Sequence, residues 1–318
     1  MSGGEKTGVA YVFPAEGCQT VGMGLDLYLH YSSAKKVFDE VDKTLRFSLS
    51  RLCFEGSEEE LTQAINAQLA VVTTSIACLK AAQQVSGNSL PPPTFVAGHS
   101  VGESTALVVA GILGLSDVVR LVHERARLLD EAGRRRRGGM LAIIGLHEET
   151  IKDICRSVGT EISIAIINSP RQIVISGAKD SLAEAGRLAQ IKGARRIIPL
   201  RVSYACHSPL MEPASEGLRN IISGFTFQKP SVPVVANLSA QPLTDIEAIK
   251  EELVTQISHC VQWQQSVENM IARGVATFFE IGPGGVLTEL IHQINPAART
   301  FNISNAQTVR EIVSRFKG

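Results

Sequence analysis

The sequence predicts an α/β protein in which a small unit of strands and helices is inserted into a larger unit built on a parallel sheet. Three observations carry this expectation. Short apolar runs with strand texture and longer stretches of helical period share most of the 318 residues, the makings of a sheet covered by helices. Between residues 138 and 202 the order becomes β-α-β-β-α-β, the split βαβ arrangement of ferredoxin-like folds. Strand and helix signals then resume, so the small unit interrupts the larger one.

Each element has its own signal. GVAYVF (8–13) reads as a buried strand ended by Pro14, and the glycine-rich loop PAEGCQTVGMG follows. Apolar residues then recur every three or four positions over about 24–55 and 58–86, which predicts two helical stretches. SGNSLPPP (86–93) is a loop, and TFVAGH (94–99) a short β-rich run. Small and apolar residues after Ser100 suit a buried helix, and 115–133 predicts another with Ser116 as its N-cap. In the small unit, strands are expected over 138–146, 161–169, 171–177 and 194–202, with helices over 147–159 and 178–193. VPVVANLS (232–239), the helix around 263–274 and TFFEIGPGGVLTELIHQI (277–294) would complete the large sheet and its cover.

Composition excludes several classes of partner. Lys plus Arg and Asp plus Glu are 31 each, so net charge argues neither for nucleic acid nor for a membrane surface. No apolar run approaches a membrane span, and the start lacks a signal-peptide pattern. The expected location is the cytoplasm, or an organelle if a targeting segment has been removed. Six cysteines without CxxC spacing read as free thiols rather than a metal site. The one conspicuous charge run is Arg134–Arg137, either a solvated loop between units or a basic rim for phosphates or an acidic protein.

The stretch FVAGHSVGES (95–104) carries the chemistry. A serine with glycine two residues away on each side, between a strand and a helix, has the form of a nucleophile elbow. The glycines permit a tight turn, and the following helix aims its amides at any oxyanion formed there. Ser100 is therefore the candidate nucleophile, against the plainer reading of a helix N-cap. Of seven histidines, His207 in VSYACHSPLM follows a strand end and precedes a proline turn, where a catalytic base belongs. No Asp or Glu stands out as the acid that a hydrolase would supply between serine and histidine, which weakens a hydrolase reading.

These motifs, in this order over roughly 8–295, resemble malonyl-CoA:acyl carrier protein transacylases and the related acyltransferase domains of polyketide and fatty-acid synthases. YVFPAEGCQTVGMG looks like the family's opening loop, GHSVGE its elbow, and VVRLVHERARLL the helix with its substrate arginine. GGMLAIIGL, NSPRQIVISG, VSYACHSPLM, VPVVANLS, QISHCVQW and FFEIGPGGVL follow in their family positions. The resemblance implies a hydrolase-like large domain, residues 1–135 and 200–318, and a ferredoxin-like small domain, 136–199. It implies ping-pong transfer of malonyl from CoA, through a malonyl-serine at Ser100, to the phosphopantetheine thiol of an acyl carrier protein. His207 would be the base, its imidazole held by the backbone carbonyl of Gln256 in place of an acid. Glu16 and Val101 would offer backbone N–H groups to the oxyanion. Arg125 would grip the malonyl carboxylate, a bidentate task suited to guanidinium, and Asn168 would lie near the pocket. No metal or redox cofactor is expected, and the partners are malonyl-CoA and the carrier, with the protein a monomer.

Several residues depart from the family pattern, with Ala15 and Cys18 in place of its Gly and Ser. Glu16 stands where the family usually has Gln, and a carboxylate beside bound malonyl would repel it unless it turns away, pairs or is protonated. Tyr204 in YACH matches a version that accompanies methylmalonyl choice, a distinction amounting to about 1–3 kcal/mol. A methylmalonyl-selective transferase, a serine thioesterase or ester hydrolase, and a degenerate carrier-docking protein remain as alternatives.

Overall fold

The computed structural model describes residues 7–87 and 89–316. The expected targeting reading rests partly on residues 1–6, which lie outside those described, as do both ends of the larger expected domain. Among the described residues ten strands form where β-branched, aromatic and apolar runs are closed off by glycine, proline or polar turns. They are β1 (Gly8–Phe13), β2 (Phe95–Gly98), β3 (Gly138–Ile144), β4 (Ile162–Ser169), β5 (Gln172–Ala178), β6 (Arg196–Pro199), β7 (Val234–Val235), β8 (Pro242–Leu243), β9 (Val275–Ile281) and β10 (Arg299–Ile303).

Six of them make one sheet in the order β10-β9-β1-β2-β7-β8, parallel throughout except for the short β8. β1, β2 and β9 are almost wholly buried, because helices cover both faces of a parallel sheet. The other four make an antiparallel sheet in the order β4-β5-β3-β6, with helices Glu148–Val158 and Lys179–Ile191 between its strands. That order and connectivity are the ferredoxin-like arrangement, so the fold class is the one expected. Ile143, Ile151, Ile154, Ile173, Ile175 and Leu182 form a core of their own beneath this sheet. The small sheet is tied to the loop before helix Trp263–Ala272, where the Ile167 amide donates to the Val261 carbonyl and the Val261 amide to the Ala165 carbonyl, both at 2.9 Å.

Several elements differ from expectation. The stretch 24–55 is three helices, Leu25–His30, Ser32–Leu45 and Leu49–Glu55, broken by extended Tyr31 and by Arg46 at φ 61°. The stretch 58–86 is two, since Gln63 (ψ 135°) leaves the helical region between Glu58–Thr62 and Ala64–Ser86. Ser116 is not an N-cap. Gly114 caps helix Leu115–Arg135, and the Ser116 hydroxyl donates instead to Glu40 at 2.9 Å. Helix Ala64–Ser86 also amends the view that no apolar run approaches a membrane span, because its mean hydropathy reaches 1.3. Of that stretch 78% is buried inside the protein, the position of a core helix packed under the sheet.

Candidate active site

β2 ends at Gly98 and helix Gly102–Val109 begins four residues later, so the chain must reverse within His99–Val101. A Cβ on Gly98 would overlap the Gly102 backbone, and one on Gly102 would overlap the Phe13 carbonyl oxygen, so neither position admits a side chain. Ser100 sits at the apex with φ 51°, a left-handed conformation that costs a non-glycine residue about 1–3 kcal/mol. Asn237 holds the turn from below: its Oδ1 accepts the Ser100 amide and its Nδ2 donates to the Gly98 carbonyl, each at 2.8 Å.

The Ser100 hydroxyl lies 2.7 Å from His207 Nε2. His207 is also in the left-handed region, at φ 60°, in the loop after β6, and its amide donates to the Ile257 carbonyl. Nδ1 of the same ring is 2.7 Å from the Gln256 carbonyl oxygen, an acceptor only, which assigns the proton to Nδ1 and leaves Nε2 as a lone pair facing the serine. Burial, and then the Arg125 charge, lowers the imidazole from 6.5 to about 3, so the ring is a neutral base at any ordinary pH.

Arg125 reaches the same point from helix Leu115–Arg135. Its side chain is buried, with Nη1 donating to Gln68 Oε1 at 2.6 Å and Nη2 to Gln256 Oε1 at 3.1 Å and to the Ser100 hydroxyl at 3.3 Å. Among the described residues no carboxylate forms an ion pair with it. Gln68, on the core helix, is oriented from behind. Its Nε2 donates to Glu16 Oε2 at 3.0 Å and to the Tyr204 hydroxyl at 3.1 Å, and Tyr204 in turn donates to the same Glu16 oxygen at 2.6 Å. Burial raises the Glu16 carboxyl above its ordinary value, against the two hydrogen bonds and the Arg125 charge.

Gln256 is more than the bearer of a carbonyl. Its Nε2 donates to the Ser100 carbonyl at 3.1 Å and to Glu103, a buried carboxyl on the first turn of the helix after the serine. Burial and the neighbouring Glu252 charge push Glu103 well above the carboxylate range. Asn168 arrives from the end of β4 and its Oδ1 meets His99 Nε2 at 2.8 Å, while the His99 ring packs against Trp263. Asn168 thus lines the pocket, hydrogen-bonded to His99 rather than to Ser100 or His207. The amides of Glu16 and Val101 have no backbone acceptor among the described residues.

The cleft above the serine encloses about 230 Å³, with Ala142, Ile166 and Val174 of the small sheet and Leu287 and Leu290 of helix Val286–Ile294 as apolar walls. Its rim at Met140, Leu200 and Val202 is shared with a second cavity of about 750 Å³ lined also by Arg134, Arg137 and Lys179. Of the basic run, Arg134 pairs with Asp130 and Arg136 with Glu161.

A family model described as "Acyl transferase domain" matches residues 10–311, nearly the whole chain. The chain belongs to the acyl transferase family. It is 42% identical over 312 residues to the malonyl CoA-acyl carrier protein transacylase of Bacillus subtilis (strain 168), covering 97% of each sequence. Among solved structures it is similar to the acyl-carrier-protein-S-malonyltransferase of Bartonella henselae, with TM-score 0.92, 38% identity and coverage of 98% and 100% of the two chains. It is equally similar in fold, at TM-score 0.92 and 35% identity over 97% and 100%, to a malonyl-transacylase solved with a type II PKS acyl-carrier protein.

Three residues of this acyl transferase's site escape a reading of its sequence. Gln68 and Glu103 sit in helices whose apolar period makes them look like ordinary helical polar residues, and Asn237 lies in a loop after a two-residue strand. Only one signal was available: Glu103 and Gln68 are polar residues in otherwise apolar, buried stretches.

Proposed function

We propose that this acyl transferase moves a malonyl group from CoA to the phosphopantetheine thiol of an acyl carrier protein through a malonyl-serine. The observation that carries the reading is Arg125, a buried guanidinium with no carboxylate partner among the described residues, whose Nη2 stands 3.3 Å from the candidate nucleophile. An acyl group on Ser100 that ends in a carboxylate would exchange Arg125's neutral amide acceptors for a charged one, which forms stronger hydrogen bonds. An apolar acyl chain would leave that charge unmatched.

In the first half-reaction the Ser100 oxygen attacks the thioester carbonyl while His207 Nε2 takes the hydroxyl proton. The carbon–sulfur bond then breaks, His207 returns the proton to the CoA sulfur, and malonyl remains as a serine ester. The Gln256 carbonyl stabilises the transient imidazolium through Nδ1–H, the task that a carboxylate performs in a triad. The unbonded Glu16 and Val101 amides would receive the oxyanion. In the second half-reaction the carrier thiol gives its proton to Nε2, attacks the ester, and the serine recovers its proton.

Intact-mass measurement after incubation with malonyl-CoA, methylmalonyl-CoA and acetyl-CoA tests this. A malonyl adduct is expected, absent in Ser100→Ala and discharged faster by holo-carrier than by water. Rapid hydrolysis that is indifferent to the carrier would overturn the transfer reading in favour of a thioesterase.

A further inference from the structure

The cleft contains one acidic side chain, Glu16, at the head of the relay Glu16–Gln68–Arg125–Ser100. The donors along this relay dictate its direction. Gln68 spends its amide hydrogens on Glu16 and Tyr204, which turns its oxygen toward Arg125 Nη1 at 2.6 Å. Tyr204 spends its hydroxyl hydrogen on Glu16. Glu16 Oε2 accepts from both, so any proton the carboxyl carries must sit on its other oxygen. The carboxyl is therefore one amide removed from the guanidinium that would bind the acyl carboxylate. An ionised Glu16 offsets the Arg125 charge, and a protonated one leaves that charge whole.

We propose that Glu16 is a specificity-determining residue: its charge sets how strongly the cleft prefers a carboxylated acyl group over an uncharged one. Deprotonation would lower the malonyl preference, and protonation would raise it, without altering the nucleophile or base. The inference rests on the malonyl-transfer reading.

The other ionisable groups around Glu16 come from each element packed on it. Burial holds the Cys18 thiol up at about 12 and the Cys206 thiol at about 11, and pushes the Tyr204 hydroxyl well above its usual value. His207 stays neutral, and Arg125 supplies the fixed positive charge. Glu280, beyond Cys18, is bonded to the Leu287 and Thr288 amides. Behind Gln256, burial raises both Glu103 and Glu252, so these two also titrate outside the ordinary carboxylate range. A substitution at position 16 leaves all of them in place, so comparing variants isolates Glu16.

The test is the ratio of kcat/KM for serine loading with malonyl-CoA to that with acetyl-CoA, followed from about pH 4.5, above which the raised Glu16 carboxyl titrates, to the highest pH at which the protein stays folded, with the malonyl carboxylate ionised. Any change in His207 affects both substrates and cancels in the ratio. For the natural chain the ratio is expected to fall roughly three- to tenfold as pH rises, entirely through the malonyl KM. Glu16→Gln keeps an acceptor for Tyr204 and Gln68 and is expected to hold the ratio at its low-pH value throughout. Tyr204→Phe removes a hydrogen bond that favours the ionised carboxylate and is expected to move the fall to higher pH. A ratio that is flat in the natural chain, or that falls equally in Glu16→Gln, overturns the proposal. Failure to load malonyl at any pH would instead overturn the transfer reading itself.

Discussion

At the scale of single residues, the site works by denying its charged groups their usual partners. Arg125 is surrounded by amide oxygens and a hydroxyl, so a carboxylate is the strongest acceptor it could gain. Arg125→Lys loses the planar fork, and steady-state loading should show the malonyl-CoA KM rising roughly tenfold or more, about 1.5–3 kcal/mol. His207 is deprived of water and faces Arg125, which lowers it to about 3. At saturating malonyl-CoA the loading rate should therefore stay level from about pH 8 down to about pH 5. A half-drop near the ordinary histidine value would contradict this. The sign for stability follows from the same shift. The contribution of the neutral ring is complete above 6.5, and is lost as pH falls from there toward 3, because the unfolded chain takes up the proton first. Ser100 and His207 are legible in the sequence because an elbow and a strand-end loop are local patterns. Gln68, Glu103 and Asn237 are not, since their importance lies in partners 57, 153 and 137 residues away.

At the scale of elements, the elbow depends on two glycines whose neighbours are backbone atoms that cannot move aside. Gly102→Ala should destabilise the protein by on the order of 3 kcal/mol, read as a lower urea midpoint with an unchanged m-value. The elements that were readable in advance are those with strong punctuation: β1 closed by Pro14, β2 by Gly98, and the alternating strands of the small sheet. The helix expected over 115–133 is also clear and forms over Leu115–Arg135, with its apolar face on Val118, Leu121, Val122 and Leu129. Part of what was missed has a physical cause. The break at Tyr31 is a single extended residue within a continuous helical period. Helix Ile246–Gln256 has only a weak apolar stripe, and β10 lies at the sheet edge with one buried residue, so the pattern is faint in both. Helices Glu212–Ile222 and Ala306–Phe316 do carry apolar faces, on Leu218 and Ile222 and on Val309 and Ile312. β7 is only two residues long because Pro233 and the turn beginning at Asn237 bound it, so most of the expected 232–239 strand is loop.

At the scale of the whole molecule, the candidate site lies in a seam between the two units. Asn168 and part of the apolar wall come from the small sheet, the serine follows β2 of the large sheet, and the arginine comes from helix Leu115–Arg135. The hydrogen bonds of Val261 with Ala165 and Ile167 tie the small sheet to the loop before helix Trp263–Ala272. The basic run lies along the mouth of this seam, with Arg137 beside Lys179 in the larger cavity. Replacing Arg135 and Arg137 with Gln, which spares the Asp130 and Glu161 pairs, should raise the KM for the carrier and flatten its dependence on salt. An unchanged carrier KM would assign the run to solvent. The order of strands in the large sheet has one more consequence, for the chain during its synthesis. β1 is made first, yet one of its two neighbours, β9, is made last but one, so an edge of the central strand stays open until residue 281 has emerged. The imidazole's acceptor at Gln256 also appears late. A nascent chain that already carries Ser100, Arg125 and His207 thus has neither a closed sheet nor an oriented imidazole until residue 281 has emerged.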